Sequence, residues 1–167
     1  QGEGSSEIWE SSWNRWLSWN VWILRPARLH SERKKVRKKM EKTILVVEDD
    51  RGLNQGMAMA IKNPMYHFLP AFTLKEAIEY WKDNQIDMVI LDINLPDGSG
   101  YGFLESVRKE SQIPVIMLTA NDMEIDEVRG IEMGADDYIT KPFSLMVLRA
   151  RVERLFARAG RQEGKEF

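Results

Sequence analysis

From Thr43 onward the hydrophobic pattern switches period again and again, and the switches predict strands alternating with helices. Thr43-Ile44-Leu45-Val46-Val47, Asp87-Met88-Val89-Ile90-Leu91-Asp92 and Pro114-Val115-Ile116-Met117-Leu118-Thr119 are short runs without polar alternation, as expected of strands buried on both faces. Tyr66 to Ala71 predicts a weaker second strand and Asp137 to Thr140 a short fifth. A helical stretch follows Asp50 to about Lys62, where Asn63-Pro64 closes it. Thr73 caps a second helix to about Asn84, with Ala77, Ile78 and Trp81 on its inner face. Further helices are expected over Tyr101–Glu110, over Asp122–Met133 with Gly134 as stop, and from Phe143 to about Arg158. Asn94 to Gly100 is dense in turn formers and predicts a loop. Continuous apolar strands joined by helices imply a doubly wound α/β fold: five parallel strands, five helices, both sheet faces covered.

Charge divides the chain. Residues 1–39 hold nine Lys/Arg against four Asp/Glu, and residues 40–167 hold fifteen against twenty-two. That shift, with Met40 two residues before the first strand, predicts a boundary near 40. The first segment is rich in tryptophan (Trp9, Trp13, Trp16, Trp19, Trp22) and ends in the basic run Arg33-Lys34-Lys35-Val36-Arg37-Lys38-Lys39. Its spacing fits a partly helical extension suited to an anionic membrane surface or to nucleic acid. The opening Gln1-Gly2-Glu3-Gly4-Ser5-Ser6 favours instead a non-native extension, to be set apart from the fold. The compact domain is then expected over 40–158, with 159–167 as a polar linker or tail. The acidic body lacks a uniform basic surface for nucleic acid. There is no cysteine, which removes disulfide scaffolds and thiolate chemistry, and no apolar run approaches the roughly 20 residues of a membrane span. His30 and His67 show no ligand spacing.

In a sheet of this kind ligands bind outside the carboxyl ends of the strands. The first strand delivers Glu48 and Asp49 there, the third Asp92, the fourth Thr119 and the fifth, through a short loop, Lys141. One Asp or Thr at a strand end is usually a cap or turn residue. Five such groups on one edge are informative. Three carboxylates together call for a cation, and hard oxygen donors suit Mg²⁺ or Mn²⁺, with the backbone carbonyl of Asn94 as a further ligand. Asp92 can act as a nucleophile in phosphoryl transfer, with Lys141 and Thr119 meeting the phosphoryl oxygens.

Ile44-Leu45-Val46-Val47-Glu48-Asp49-Asp50, Leu91-Asp92-Ile93-Asn94-Leu95-Pro96-Asp97-Gly98, Leu118-Thr119-Ala120 and Gly134-Ala135-Asp136-Asp137-Tyr138-Ile139-Thr140-Lys141-Pro142-Phe143 resemble, in order, the signature segments of bacterial two-component response-regulator receivers. The resemblance covers some 120 residues and implies the CheY-like, flavodoxin-like fold. It implies that Asp92 is the phosphoacceptor, fed by a sensor histidine kinase or a small phosphodonor. Glu48 and Asp49 would be the acidic pair, Asp49 a direct metal ligand, and Thr119 and Tyr138 the switch pair. Lys141-Pro142 would carry a cis peptide that aims the lysine inward. Such a protein is a cytoplasmic signalling phosphoacceptor, not an enzyme beyond slow self-phosphorylation and dephosphorylation.

Within the family the chain is most similar to the OmpR/PhoB-like group, on the fifth-strand segment and Leu148-Arg149-Ala150-Arg151-Val152. Those regulators control transcription through a C-terminal winged-helix DNA-binding domain, which this chain does not include. Their receivers pair through the helix over 122–133, the fifth strand and the last helix. Asp137 and Arg151 match one inter-subunit salt bridge, whereas Glu127, Val147, Glu132 and Glu153 depart from the usual charges, so a weakened dimer is expected. The competing readings are a stand-alone CheY-like receiver acting on protein targets, a haloacid-dehalogenase-type phosphatase and a flavodoxin-like nucleotide binder. The phosphatase would need an acid where Asn94 stands. The nucleotide binder would need a Gly- or Ser-rich loop in place of Glu48-Asp49-Asp50.

Overall fold

The computed structural model describes residues 26–120, 128 and 131–164. The tryptophan-rich stretch and most of the helix expected over 122–133, Glu127 included, lie outside them, although residues 128 and 131–132 are helical. The chain divides into two compact units, Gln1–Met40 and Glu41–Phe167. In the first, helix α1 (Pro26–Met40) carries the basic run, and its side chains from His30 to Lys38 are exposed. Proline suits its first position, where the missing N–H has no helical partner to lose. Among the described residues no helix is long and apolar enough to cross a membrane.

The second unit is built on a five-stranded parallel sheet of β1 (Lys42–Val47), β2 (Tyr66–Ala71), β3 (Met88–Asp92), β6 (Val115–Thr119) and β7 (Asp137–Thr140). Its order is β2-β1-β3-β6-β7, so the chain reverses its direction of travel between β1 and β3. Successive side chains of each central strand enter different cores. Leu45, Val47, Val89, Leu91, Val115 and Met117 face one layer, with Ala77 of α3 (Leu74–Asp83) and Phe103, Leu104 and Val107 of α4 (Gly100–Glu110). Ile44, Val46, Met88, Ile90, Ile116 and Leu118 face the other, with Met57 of α2 (Arg51–Ala60) and Leu148, Val152 and Leu155 of α5 (Leu145–Glu163). The unbroken apolar runs are thus two interleaved alternations.

Local chemistry sets the helix ends. Asp50 Oδ1 accepts the Leu53 N–H and starts α2. Thr73 Oγ1 accepts the Glu76 N–H while Glu76 Oε2 accepts the Phe72 N–H, a reciprocal cap on α3. Several expectations shift. Ile78 is 43% exposed, and Leu74, Tyr80 and Trp81 flank Ala77 instead. Met57, Met88 and Met117 fill the core, whereas Met59 is 69% exposed because it falls outside the phase of Asn54, Met57 and Ile61. The expected loop at 94–100 contains a small antiparallel ladder, β4 (Asn94–Leu95) with β5 (Gly98–Ser99). The last helix runs on through Glu163, into the segment read as a linker.

Two residues organise opposite edges of this sheet. At the amino edge, Arg108 donates to the carbonyls of Ser111, Ile113 and Gly134 and to Asp136 Oδ2, which also accepts the Val115 N–H. At the carboxyl edge, a Cβ on Gly100 would stand 2.3 Å from the Asp92 carbonyl oxygen, so only glycine lets α4 begin against the end of β3. Above it, Asp97 accepts the Leu74 and Lys75 N–H groups and caps α3 from 22 residues downstream of Lys75.

Two expectations follow. Gly100→Ala must displace backbone and should lower stability by roughly 1–3 kcal/mol in urea denaturation, and an unchanged midpoint would contradict the close approach. The hydrogen bonds from Leu74 and Lys75 hold the Asp97 carboxyl below its usual range. A lowered folded-state value means stability that is present above the ordinary aspartate range and lost as pH falls through the lowered value. Asp97→Asn should therefore melt below the parent at neutral pH, with the gap narrowing as pH falls below the ordinary aspartate range. A gap independent of pH would remove the charge from the explanation.

Candidate functional site

The reversal between β1 and β3 leaves a crevice at the carboxyl ends of those strands. β1 ends at Val47 and the chain continues directly into Glu48 and Asp49, while β3 ends on Asp92 itself. One carboxylate oxygen from each of Glu48, Asp49 and Asp92 lies within 4.8 Å of the others. Glu48 and Asp92 are buried and Asp49 is exposed. Lys141 Nζ donates to Glu48 Oε2 at 2.5 Å and to Asp92 Oδ2 at 2.7 Å.

Each side chain is aimed by main-chain contacts. The Lys141 N–H donates to the Thr119 carbonyl at 2.6 Å, which ties the loop after β7 to the end of β6. The Lys141-Pro142 peptide is cis. Asp92 Oδ1 accepts the Asn94 N–H at 3.1 Å, so both carboxylate oxygens have a donor. Glu48 Oε1 accepts the Asp50 N–H at 3.0 Å. Thr119 closes β6 as a buried hydroxyl at the same edge.

Burial pushes the Glu48 carboxyl up to about 7, against the lowering influence of Lys141 and the Asp50 N–H. Burial also works against the Lys141 charge, but its bonds to Asp92 and Glu48 outweigh that and raise the ammonium above its usual range. With three carboxylates and one ammonium, the cluster keeps two negative charges when fully ionised. A divalent cation neutralises them, and an all-oxygen donor set of carboxylates suits magnesium. The residues present fit such an ion.

The structure therefore brings Glu48, Asp49, Asp92, Thr119 and Lys141 to one edge. Tyr138, on β7, packs against the layer that holds Leu91 and Met117, and its hydroxyl is buried without a hydrogen-bond partner among the described residues. Asp137 and Arg151, read from sequence as an inter-subunit pair, meet within one chain at 2.5 Å, and Arg154 lies 3.6 Å from the second Asp137 oxygen. Glu153 pairs with Arg149 one turn away. Sequence reasoning passed over Asn54, a buried amide among the strand ends. The available signal was its phase, since Asn54, Met57 and Ile61 recur at helical spacing and one of them is polar.

Residues 44–153 match the response regulator receiver domain family. The chain is 41% identical over 114 residues to the regulatory protein VanR of Enterococcus faecium, an overlap of 68% of this chain and 49% of VanR. It is 36% identical over 127 residues to the probable transcriptional regulator ycf27 of Cyanidium caldarium, an overlap of 76% and 51%. The chain thus spans about half the length of the curated relatives it matches. Among solved structures, the response regulator DrrB of Thermotoga maritima, an OmpR/PhoB homologue, is similar with a TM-score of 0.66 and 30% identity, over 72% of this chain and 54% of that one. With the crevice, the strand order and these matches in agreement, the chain belongs to the response regulator receiver family, and its second unit is a two-component receiver domain of the OmpR/PhoB-like type.

Proposed function

We propose that this receiver, over residues 40–158, is a phosphoacceptor switch: Asp92 takes a phosphoryl group from a sensor histidine kinase, and the change is read out at the surface formed by β7, α5 and the helix before β7. The observation that carries this reading is the buried Asp92 carboxylate held by Lys141 beside Glu48 and Asp49.

An oxygen of Asp92 attacks phosphorus, forming an acyl phosphate as the P–N bond of a phosphohistidine breaks, or a P–O bond in a small donor. Glu48, Asp49, Asp92 and the Asn94 carbonyl are the residues to hold Mg²⁺ or Mn²⁺, which when bound offsets negative charge on the phosphoryl oxygens. Lys141 supplies a second positive charge, and its two present partners are the carboxylates it would share with the arriving group. Thr119 offers a hydroxyl to a phosphoryl oxygen, and Tyr138 repacks with it. The Asn94 amide stands where a dehalogenase-type phosphatase needs an acid, which favours a signalling acceptor over a turnover catalyst.

The output is transcription control, which the name of the probable transcriptional regulator ycf27 supports, exerted through a winged-helix DNA-binding domain of the kind the OmpR/PhoB-like resemblance implies. A stand-alone receiver acting on protein partners is the second reading. Dimerisation through the β7–α5 face should be weak. Asp137 is engaged by Arg151 and Arg154 within its own chain, Glu153 is held by Arg149, and Val147 offers no charge.

Two measurements check this proposal. Incubation with a radiolabelled small phosphodonor and Mg²⁺ should label the protein, while Asp92→Asn should fall to background; equal labelling of both would sink the phosphoacceptor role. Sedimentation velocity of the phosphorylated chain should give predominantly monomer at micromolar concentration, and a tight, salt-sensitive dimer would contradict the charge argument.

A further inference from the structure

Asn54 lies on the inward face of α2, between the ends of β1 and β2, and is 2% exposed. Its Nδ2 stands 3.2 Å from the Val46 carbonyl, 3.1 Å from that of Glu48 and 3.3 Å from that of Ala71. Three carbonyls around one nitrogen fix the orientation of the amide, because only the NH₂ side can donate to them. The neighbouring inward residues Met57 and Ile61 are apolar, so this face of α2 does not require a polar side chain for packing.

The place it occupies is where the β1–β2 ladder ends. Pairing stops at Val47 and Ala71, and the Glu48 N–H makes one last bond to the Ala71 carbonyl at 3.0 Å. Beyond that point the main chain leaves the sheet to present Glu48 and Asp49. Asn54 takes up the Glu48 carbonyl, the first one past the ladder. Its own N–H donates to the Asp50 carbonyl at 2.8 Å. Residues 48 and 50 are thus both bonded to Asn54, and Asp49 sits between them. Asp49 is exposed and takes its direction from that backbone.

We infer that Asn54 is a positioning residue for the acidic pair: by bracing the 48–50 backbone, it holds the Asp49 and Glu48 carboxylates at the spacing a divalent cation needs. The inference takes the identity of the site from the phosphoacceptor reading, but its test does not depend on phosphoryl transfer. Groups that orient ligands in this way typically change metal affinity by ten- to a hundredfold, so the loss of this amide should weaken Mg²⁺ binding by about tenfold or more.

The test is isothermal titration of the full chain with Mg²⁺, alongside thermal melts. Asn54→Leu keeps the bulk and removes the donor. Asn54→Ser is the smaller, hydroxyl-bearing second variant should leucine fail to fold. Leu155→Ala, in the same core layer on α5, serves as a control for lost stability. Both Asn54 variants should bind Mg²⁺ about tenfold more weakly, while Leu155→Ala stays within about twofold of the parent despite a lower melting temperature. Asn54 variants that bind like the parent would overturn the inference, as would a Leu155→Ala that loses as much affinity as they do. A parent that binds Mg²⁺ but takes no label on Asp92 would overturn the phosphoacceptor reading alone, with the Asn54 comparison still readable. A parent that binds no Mg²⁺ would overturn both.

Discussion

Negative charges forced together at the end of a parallel sheet shape everything around them. Two unit charges 4.8 Å apart repel by about 3 kcal/mol at an effective dielectric of about 20, and here three carboxylates stand within that distance. Lys141 answers part of that repulsion by bonding the two buried ones. A further part is met by backbone N–H groups oriented at the oxygens, from Asp50 to Glu48 and from Asn94 to Asp92. The chemistry of a cluster compensated this incompletely suits a small, hard cation.

The fold makes that crowding possible without local contortion. Because β1 and β3 are neighbours yet separated in sequence by α2, β2 and α3, their carboxyl ends open side by side. The two cores above and below the sheet hold these strands by completely buried side chains, so the acidic ends project from rigid supports. Gly100 removes the one Cβ that would push α4 away from Asp92, and Asp97 draws the start of α3 against the same loop.

Most of this was legible in the sequence because it rests on local signals. The strands announced themselves as apolar runs, and the site residues stood at their ends, where topology alone brings them together. What was missed depends on partners distant in the chain. Asp97 reads as a turn residue, and nothing near it names Leu74 and Lys75 as its donors. Ile78 and Met59 are apolar in apolar-looking helices, and only the final phase of each helix on the sheet exposes them. Sequence spacing also hides that Asp137 and Arg151, read as an inter-subunit pair, lie 2.5 Å apart within one chain. The short β4–β5 ladder lay hidden in a stretch whose composition reports only turns.

The Arg108 cluster has a mechanical consequence. It bolts together the starts of β6 and β7 with the end of α4, so those two strands are fixed at their roots. Their tips carry Thr119 and the approach to Lys141. A strand of five residues is then a cantilever about 13 Å long, and a sideways displacement of about 1 Å at its tip is a tilt of only about 4° at the root. Deflections of that size bend hydrogen bonds without breaking them. The sheet can register a chemical event at one edge as an elastic strain while its opposite edge stays still.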